Sequence, residues 1–110
     1  MNVTPQRLKE ETEKGTAMSV IDLQDEHEYE HSHVPGAMNI PMVSFATAYA
    51  AVLKDKDETI VLYGEYDELG KGDQAAQTLE AAGYTKVGRL VGGLMGWKQA
   101  GYPIEGGQES

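Results

Sequence analysis

The sequence has no cysteine among its 110 residues, so disulfides are excluded and the chain holds no thiol of its own, while the redox compartment goes unmarked. Basic side chains are scarce as well: 9 lysines and arginines stand against 18 aspartates and glutamates, a formal charge of −9, and no basic cluster interrupts the acidity. That field repels phosphate backbones and anionic lipid heads, so neither nucleic acid nor membrane is expected as a partner. A basic protein or a cation suits it better, and solubility alone also accounts for it. Long apolar runs are missing too. The most apolar uncharged stretch, Ala37 to Leu53, contains Asn39, Pro41, Ser44 and Thr47 and is shorter than the roughly 20 apolar residues of a membrane span. Met1 to Lys14 is polar, with no apolar segment of the kind a signal peptide needs, and the expected location is the cytoplasm. There is no internal repeat and no low-complexity segment.

What is present reads as one α/β domain. Apolar residues make up 40% and charged ones 25%, an ordinary globular balance, and 13 glycines provide many tight turns. Thr4 and Pro5 open a helix that runs to about Lys14 and stops at Gly15. Met18 to Leu23 is a short apolar run of the kind buried on both faces of a parallel sheet. Asp25-Glu26-His27-Glu28 has the form of a capping box and predicts a short helix ending before Pro35-Gly36. Ala37 to Ile40 predicts a strand. Met42 to Leu53 predicts a helix whose apolar face carries Val43, Ala46, Ala50 and Leu53. Thr59 to Tyr63 is the clearest strand, being β-branched and aromatic up to Gly64. A helix over Gly72 to Ala82 closed by Gly83, a strand over Lys86 to Leu90, and a last helix from Gly92-Gly93 through Trp97 to Ala100 complete the pattern.

Strands alternating with helices at this spacing imply a mostly parallel sheet covered on both faces. Residues 1–103 form the expected domain and 104–110 a loose C-terminal tail. Ligands of such sheets bind beyond the carboxyl ends of the strands, so the default site is the loop Gly64, Glu65, Tyr66, Asp67, Glu68, Leu69, Gly70, Lys71 and Gly72. That loop is acidic, with Asp73 following it and only Lys71 in opposition.

Several spaced motifs resemble one family. Ile21-Asp22-Leu23, Glu28-Tyr29 and His33-Val34-Pro35-Gly36-Ala37-Met38-Asn39-Ile40-Pro41 resemble the first signature of rhodanese-like domains. Val91-Gly92-Gly93, Trp97 and Gly101-Tyr102-Pro103 resemble the closing one, and Ile60 to Tyr63 with Ala75-Ala76, Leu79 and Gly83-Tyr84 resemble the strand and helix that flank the active-site loop. The likeness runs from about Val3 to Pro103. It implies a three-layer α/β/α sandwich around a five-stranded, mainly parallel sheet. In active members the residue after the tyrosine is a cysteine that carries a transferable sulfur; here it is Gly64. The spacing resembles a subgroup with a longer loop of the form Cys-x4-Cys-x2-Ser, whose second cysteine falls on Leu69 and whose serine falls on Gly72. Gln24 stands where the family usually has an arginine, which weakens any anion site. Structural duties are implied for Asp22, Glu28, Gly36, Gly92, Gly93 and Trp97, and for His33, expected to hydrogen-bond the backbone of the Pro35-Gly36 turn.

Persulfide chemistry needs a thiolate, and the related cysteine-dependent phosphatase reaction needs one too. The expected function is a catalytically inactive module that binds a protein, sulfur-handling or basic, or a small ligand through the former active-site loop. An alternative is a sulfurtransferase component acting with a partner's cysteine. A second alternative is metal binding through His27 and His31, which with Glu28 spell H-E-x-x-H, although the helix available is short and Glu28 is better used in the capping box. No cofactor is expected, and oligomeric state is left open.

Overall fold

Local chemistry sets the first element. In a computed structural model that describes residues 1–66 and 71–107, β1 (Asn2–Val3) leads into α1 (Pro5–Lys14). The Thr4 side chain accepts the Arg7 N–H at 3.1 Å, a cap worth about 1 kcal/mol. Gly15 ends the helix at φ 75°, its N–H reaching back to the carbonyls of Glu11 and Thr12. The remaining elements are β2 (Met18–Asp22), α2 (Glu26–His31), β3 (Met38–Asn39), α3 (Phe45–Val52) after a 3₁₀ turn at Met42–Ser44, β4 (Thr59–Tyr63), α4 (Lys71–Ala81), β5 (Val87–Leu90) and α5 (Gly93–Gln99).

The strands form one sheet in the order β1-β5-β4-β2-β3, and every pairing is parallel. Helices cover both faces, so the inner strands alternate between two apolar layers rather than between core and water. Ile60 and Leu62 of β4 join Ile21, Phe45, Leu53 and Leu79 on one face, while Val61 and Tyr63 join Leu8, Val20, Leu94 and Trp97 on the other. The result is the expected three-layer sandwich.

Two expectations change. The 42–53 segment does not bury Val43, Ala46 and Ala50: Val43 is 97% exposed, both alanines are exposed, and the buried side carries Phe45 and Leu53 with Ala48 and Tyr49. Apolar residues occupy both sides of this helix, and the larger gain from burying two aromatic rings decides its rotation. The segment after Ile104 is also not loose as far as Gly107. His33 and Glu105 exchange N–H···O bonds of 2.8 and 2.9 Å, and the Gly107 N–H reaches Glu30 O at 2.8 Å. The Trp97 Nε1–H donates to Pro103 O at 2.7 Å, which ties the same segment to α5. Residues 108–110 lie outside the described residues.

Candidate functional site

Register decides what meets at the carboxyl ends of the strands. Asp22 and Tyr63 are the last residues of β2 and β4 and lie side by side. The Tyr63 hydroxyl accepts the Val34 N–H at 3.0 Å and faces the Asp22 carboxylate, whose charged form it favours. Gln24 provides two donors to Asp22, its backbone N–H at 2.7 Å and its Nε2 at 2.9 Å. Asp22 is fully buried, and burial pushes its carboxyl above the usual range against the pull of Tyr63 and the two Gln24 hydrogen bonds. Burial beside the same carboxylate holds the Tyr63 phenol far above its ordinary value. Asn39 Nδ2 then donates to the carbonyls of Asp22 and Gln24 at 3.0 and 2.9 Å. Gln24 is therefore more than a missing cation: it is buried and supplies neutral donors to a buried acid.

His33 makes a different contact from the one expected. Its Nδ1 lies 2.7 Å from Tyr29 O, so Nδ1–H donates into α2, and the ring stacks on Tyr29 at a 3.9 Å centroid distance. The Pro35-Gly36 turn closes instead through the Ala37 N–H to Val34 O at 3.0 Å, with Gly36 at φ 83°. Asp25 caps α2 by accepting the Glu28 N–H at 2.8 Å. The Glu28 carboxylate is exposed and, among the described residues, returns no bond to Asp25. His27 and His31 are exposed on α2, and among the described residues no three histidine, cysteine, aspartate or glutamate side chains come together to hold a metal.

β4 runs straight into the loop. Gly64 is buried and its carbonyl accepts the Leu94 N–H at 2.9 Å; the Glu65 carbonyl accepts the Met95 N–H at 2.9 Å. These are amides of the first turn of α5, which lack partners inside the helix. Gly93 makes the approach possible: a Cβ there would stand 2.6 Å from Gly64 O and 2.8 Å from Tyr66 O, and its φ is +62°. Glu65 is half-buried and Tyr66 is 53% exposed. The loop positions Asp67, Glu68, Leu69 and Gly70 and the side chain of Lys71 lie outside the described residues.

At the far side of the loop Gly72 is buried against Arg89, whose Cδ would lie 2.9 Å from a Cβ at position 72. Arg89 Nε also faces Asp73 Oδ1 at 3.4 Å. Lys71 is thus not the sole cation here. Arg89 went unnoticed because it is distant in sequence; the one available signal was a charge within the apolar strand Val87–Leu90.

An all-parallel sheet whose central strand empties into a loop seated on a glycine pair defines an α/β domain of the rhodanese class. The model of the rhodanese-like domain matches residues 4–100, and the chain belongs to that family. It is 30% identical over 105 residues to the HTH-type transcriptional regulator Rv0324 of Mycobacterium tuberculosis, covering 96% of this chain and 45% of the regulator. It is 34% identical over 74 residues to the thiosulfate sulfurtransferase PspE of Escherichia coli, covering 67% of this chain and 68% of PspE. The crystal structure of the Alr3790 protein from Anabaena superposes with a TM-score of 0.84 at 35% identity, over 94% of this chain and 81% of that one. The chain spans about half the length of the first curated relatives it matches. Among the described residues no helix is long and apolar enough to cross a membrane.

Proposed function

We propose that this chain is a non-catalytic rhodanese-like module that engages a protein partner, sulfur-handling or basic, at the rim formed by Gly64 to Tyr66 and the start of α5. The observation that carries this is the residue at the head of the loop. Where a sulfur-bearing cysteine is implied by the resemblance there is Gly64, and Leu69 and Gly72 occupy the other two reactive or polar positions. A transferable sulfur is stored when a thiolate attacks the donor, and hydroxyl oxygens do not replace it. The neighbouring Tyr63 phenol is held far from ionisation by burial beside the Asp22 carboxylate.

The rim itself is kept in place. The two hydrogen bonds from α5 hold Gly64 and Glu65, and Tyr66 offers a half-exposed ring of the kind that anchors interfaces. The −9 charge favours a basic surface opposite, and the name of the longer regulator Rv0324 fits a domain of this kind serving as one module of a larger protein. Purified chain assayed with thiosulfate and cyanide is expected to form thiocyanate only at buffer background beside PspE as positive control. A partner captured by the wild-type chain is expected to be lost with Tyr66→Ala or Glu65→Lys. Catalytic thiocyanate formation by the chain alone, or equal retention by both variants, overturns the reading.

A second reading is favoured by the likeness to PspE: sulfur transfer in which the partner supplies the cysteine. It predicts the same background for the isolated chain, and a rate that rises when a persulfide-bearing partner is added and falls again with Tyr66→Ala.

A further inference from the structure

At the opposite end of the sheet, where the strands begin, lies a cleft of about 560 Å³, within the size range of small-molecule sites. Its floor is apolar. Leu8 and Val61 are buried there, and Met18 and Val87 line it beside them. A Cβ on Gly88 would stand 2.8 and 3.1 Å from Cγ and Cε of Met1, so an unbranched apolar chain already rests over this glycine, with Met1 itself 64% exposed. Thr59 at the head of β4 lines the cleft and Gly64 follows its tail, so the two sites are separated by the length of a five-residue strand.

The polar groups around the floor are unevenly committed. Glu11 is already satisfied: Oε2 accepts Arg7 Nε at 2.9 Å and Oε1 accepts the Thr16 hydroxyl at 2.6 Å. Arg7 uses only that nitrogen, and among the described residues its two terminal NH₂ groups, the Lys86 ammonium and the Thr59 hydroxyl have no protein partner. Glu80 is the one lining carboxylate left open, and it is exposed. Arg7 keeps two terminal NH₂ groups beyond its ion pair with Glu11 and Lys86 is unpaired among the described residues, so on a molecule of charge −9 this rim still offers donors to an anion.

We propose that this cleft is a second ligand site for a small amphipathic carboxylate, with its anionic head on Arg7 and Lys86 and its hydrocarbon body along Leu8, Val61 and Val87. Dispersion and area burial hold the body, and charge-assisted hydrogen bonds orient the head. The site is independent of the Gly64 rim and does not rest on the function proposed there.

Isotope-labelled chain titrated with octanoate tests this by NMR. Saturable shifts are expected at the amides of Leu8, Met18, Val61 and Val87, with a Kd of about 1 mM or tighter. Arg7 and Lys86 are both exposed, so Arg7→Gln/Lys86→Gln should keep the wild-type spectrum while binding about tenfold more weakly. Octanol and octylamine of the same chain length should bind less well than octanoate, octylamine least. The proposal fails if octylamine binds as tightly as octanoate, if the double variant binds unchanged, if the shifts gather at Gly64 to Tyr66, or if none saturates at millimolar octanoate.

Discussion

Replacing Gly93 by alanine should destabilise the protein by about 3–4 kcal/mol, and the structure gives the parts of that figure. The first is conformational: φ at Gly93 is +62°, and a left-handed conformation costs an L-residue about 1–2 kcal/mol. The second is steric. The new Cβ would stand 2.6 Å from Gly64 O and 2.8 Å from both C and O of Tyr66, backbone atoms with no rotamer to escape into. Relief requires the loop to move away from α5, which strains or breaks the hydrogen bonds from Leu94 to Gly64 and from Met95 to Glu65, each worth about 1 kcal/mol. A domain of this size loses about 4 °C of Tm per kcal/mol, so thermal unfolding followed by circular dichroism should move down by about 12–16 °C. Gly15→Ala is the matched control, because Gly15 has φ +75° with nothing within 4 Å of its would-be Cβ and isolates the conformational part, about 1–2 kcal/mol. If Gly93→Ala proves no more destabilising than Gly15→Ala, the packing of the loop on the glycine pair has been misjudged.

Three other outcomes are expected. Phe45→Ala should cost about 3–5 kcal/mol in urea denaturation, whereas Val43→Glu, at a residue 97% exposed, should stay within about 0.5 kcal/mol; the reverse order would mean that α3 turns its other side inward. Asp22 has its carboxyl pushed up by burial, so the folded state binds that proton more tightly than the unfolded chain. Its contribution is fully present below the unfolded value near ~3.9 and is lost as pH rises through the raised folded value. Asp22→Asn lacks this loss, so its stability relative to wild type should improve with rising pH across that window, and a flat difference would contradict the assignment. Gly64→Cys should leave thiosulfate-to-cyanide transfer about 100-fold or more below PspE, because Glu65, Asp67, Glu68 and Asp73 disfavour both the thiolate and its anionic donor and the nearby Arg89 already faces Asp73. Turnover near that of PspE would refute the electrostatic reasoning.

The inner strands were readable from sequence because both of their faces are apolar: Met18–Asp22 and Thr59–Tyr63 are dense in β-branched residues and bounded by turns. Caps were readable for the same local reason, as with Thr4 and Asp25. The rotation of α3 was not, since apolar residues occur on both of its sides and only the packing of Phe45 and Tyr49 against the sheet separates them. The rim around Gly64 could be placed from the order of its motifs. The link between Asp22 and Tyr63 needed strand register, and the partners of His33 needed the return of residues 103–107 across α2. Arg89 was hidden for a similar reason: it reaches Asp73 across the gap between strand and helix, which no spacing rule reports.

The place of β1 has a consequence for how the chain folds. Among the described residues its only neighbour in the sheet is β5, with Asn2 opposite Arg89 and Val3 opposite Leu90, so the first strand of the domain must wait for the last one before it pairs. Closing so large a loop is an entropic cost met before any reward. A nascent chain emerging from the ribosome should therefore assemble β2, β3 and β4 first and add its amino-terminal strand as a late step.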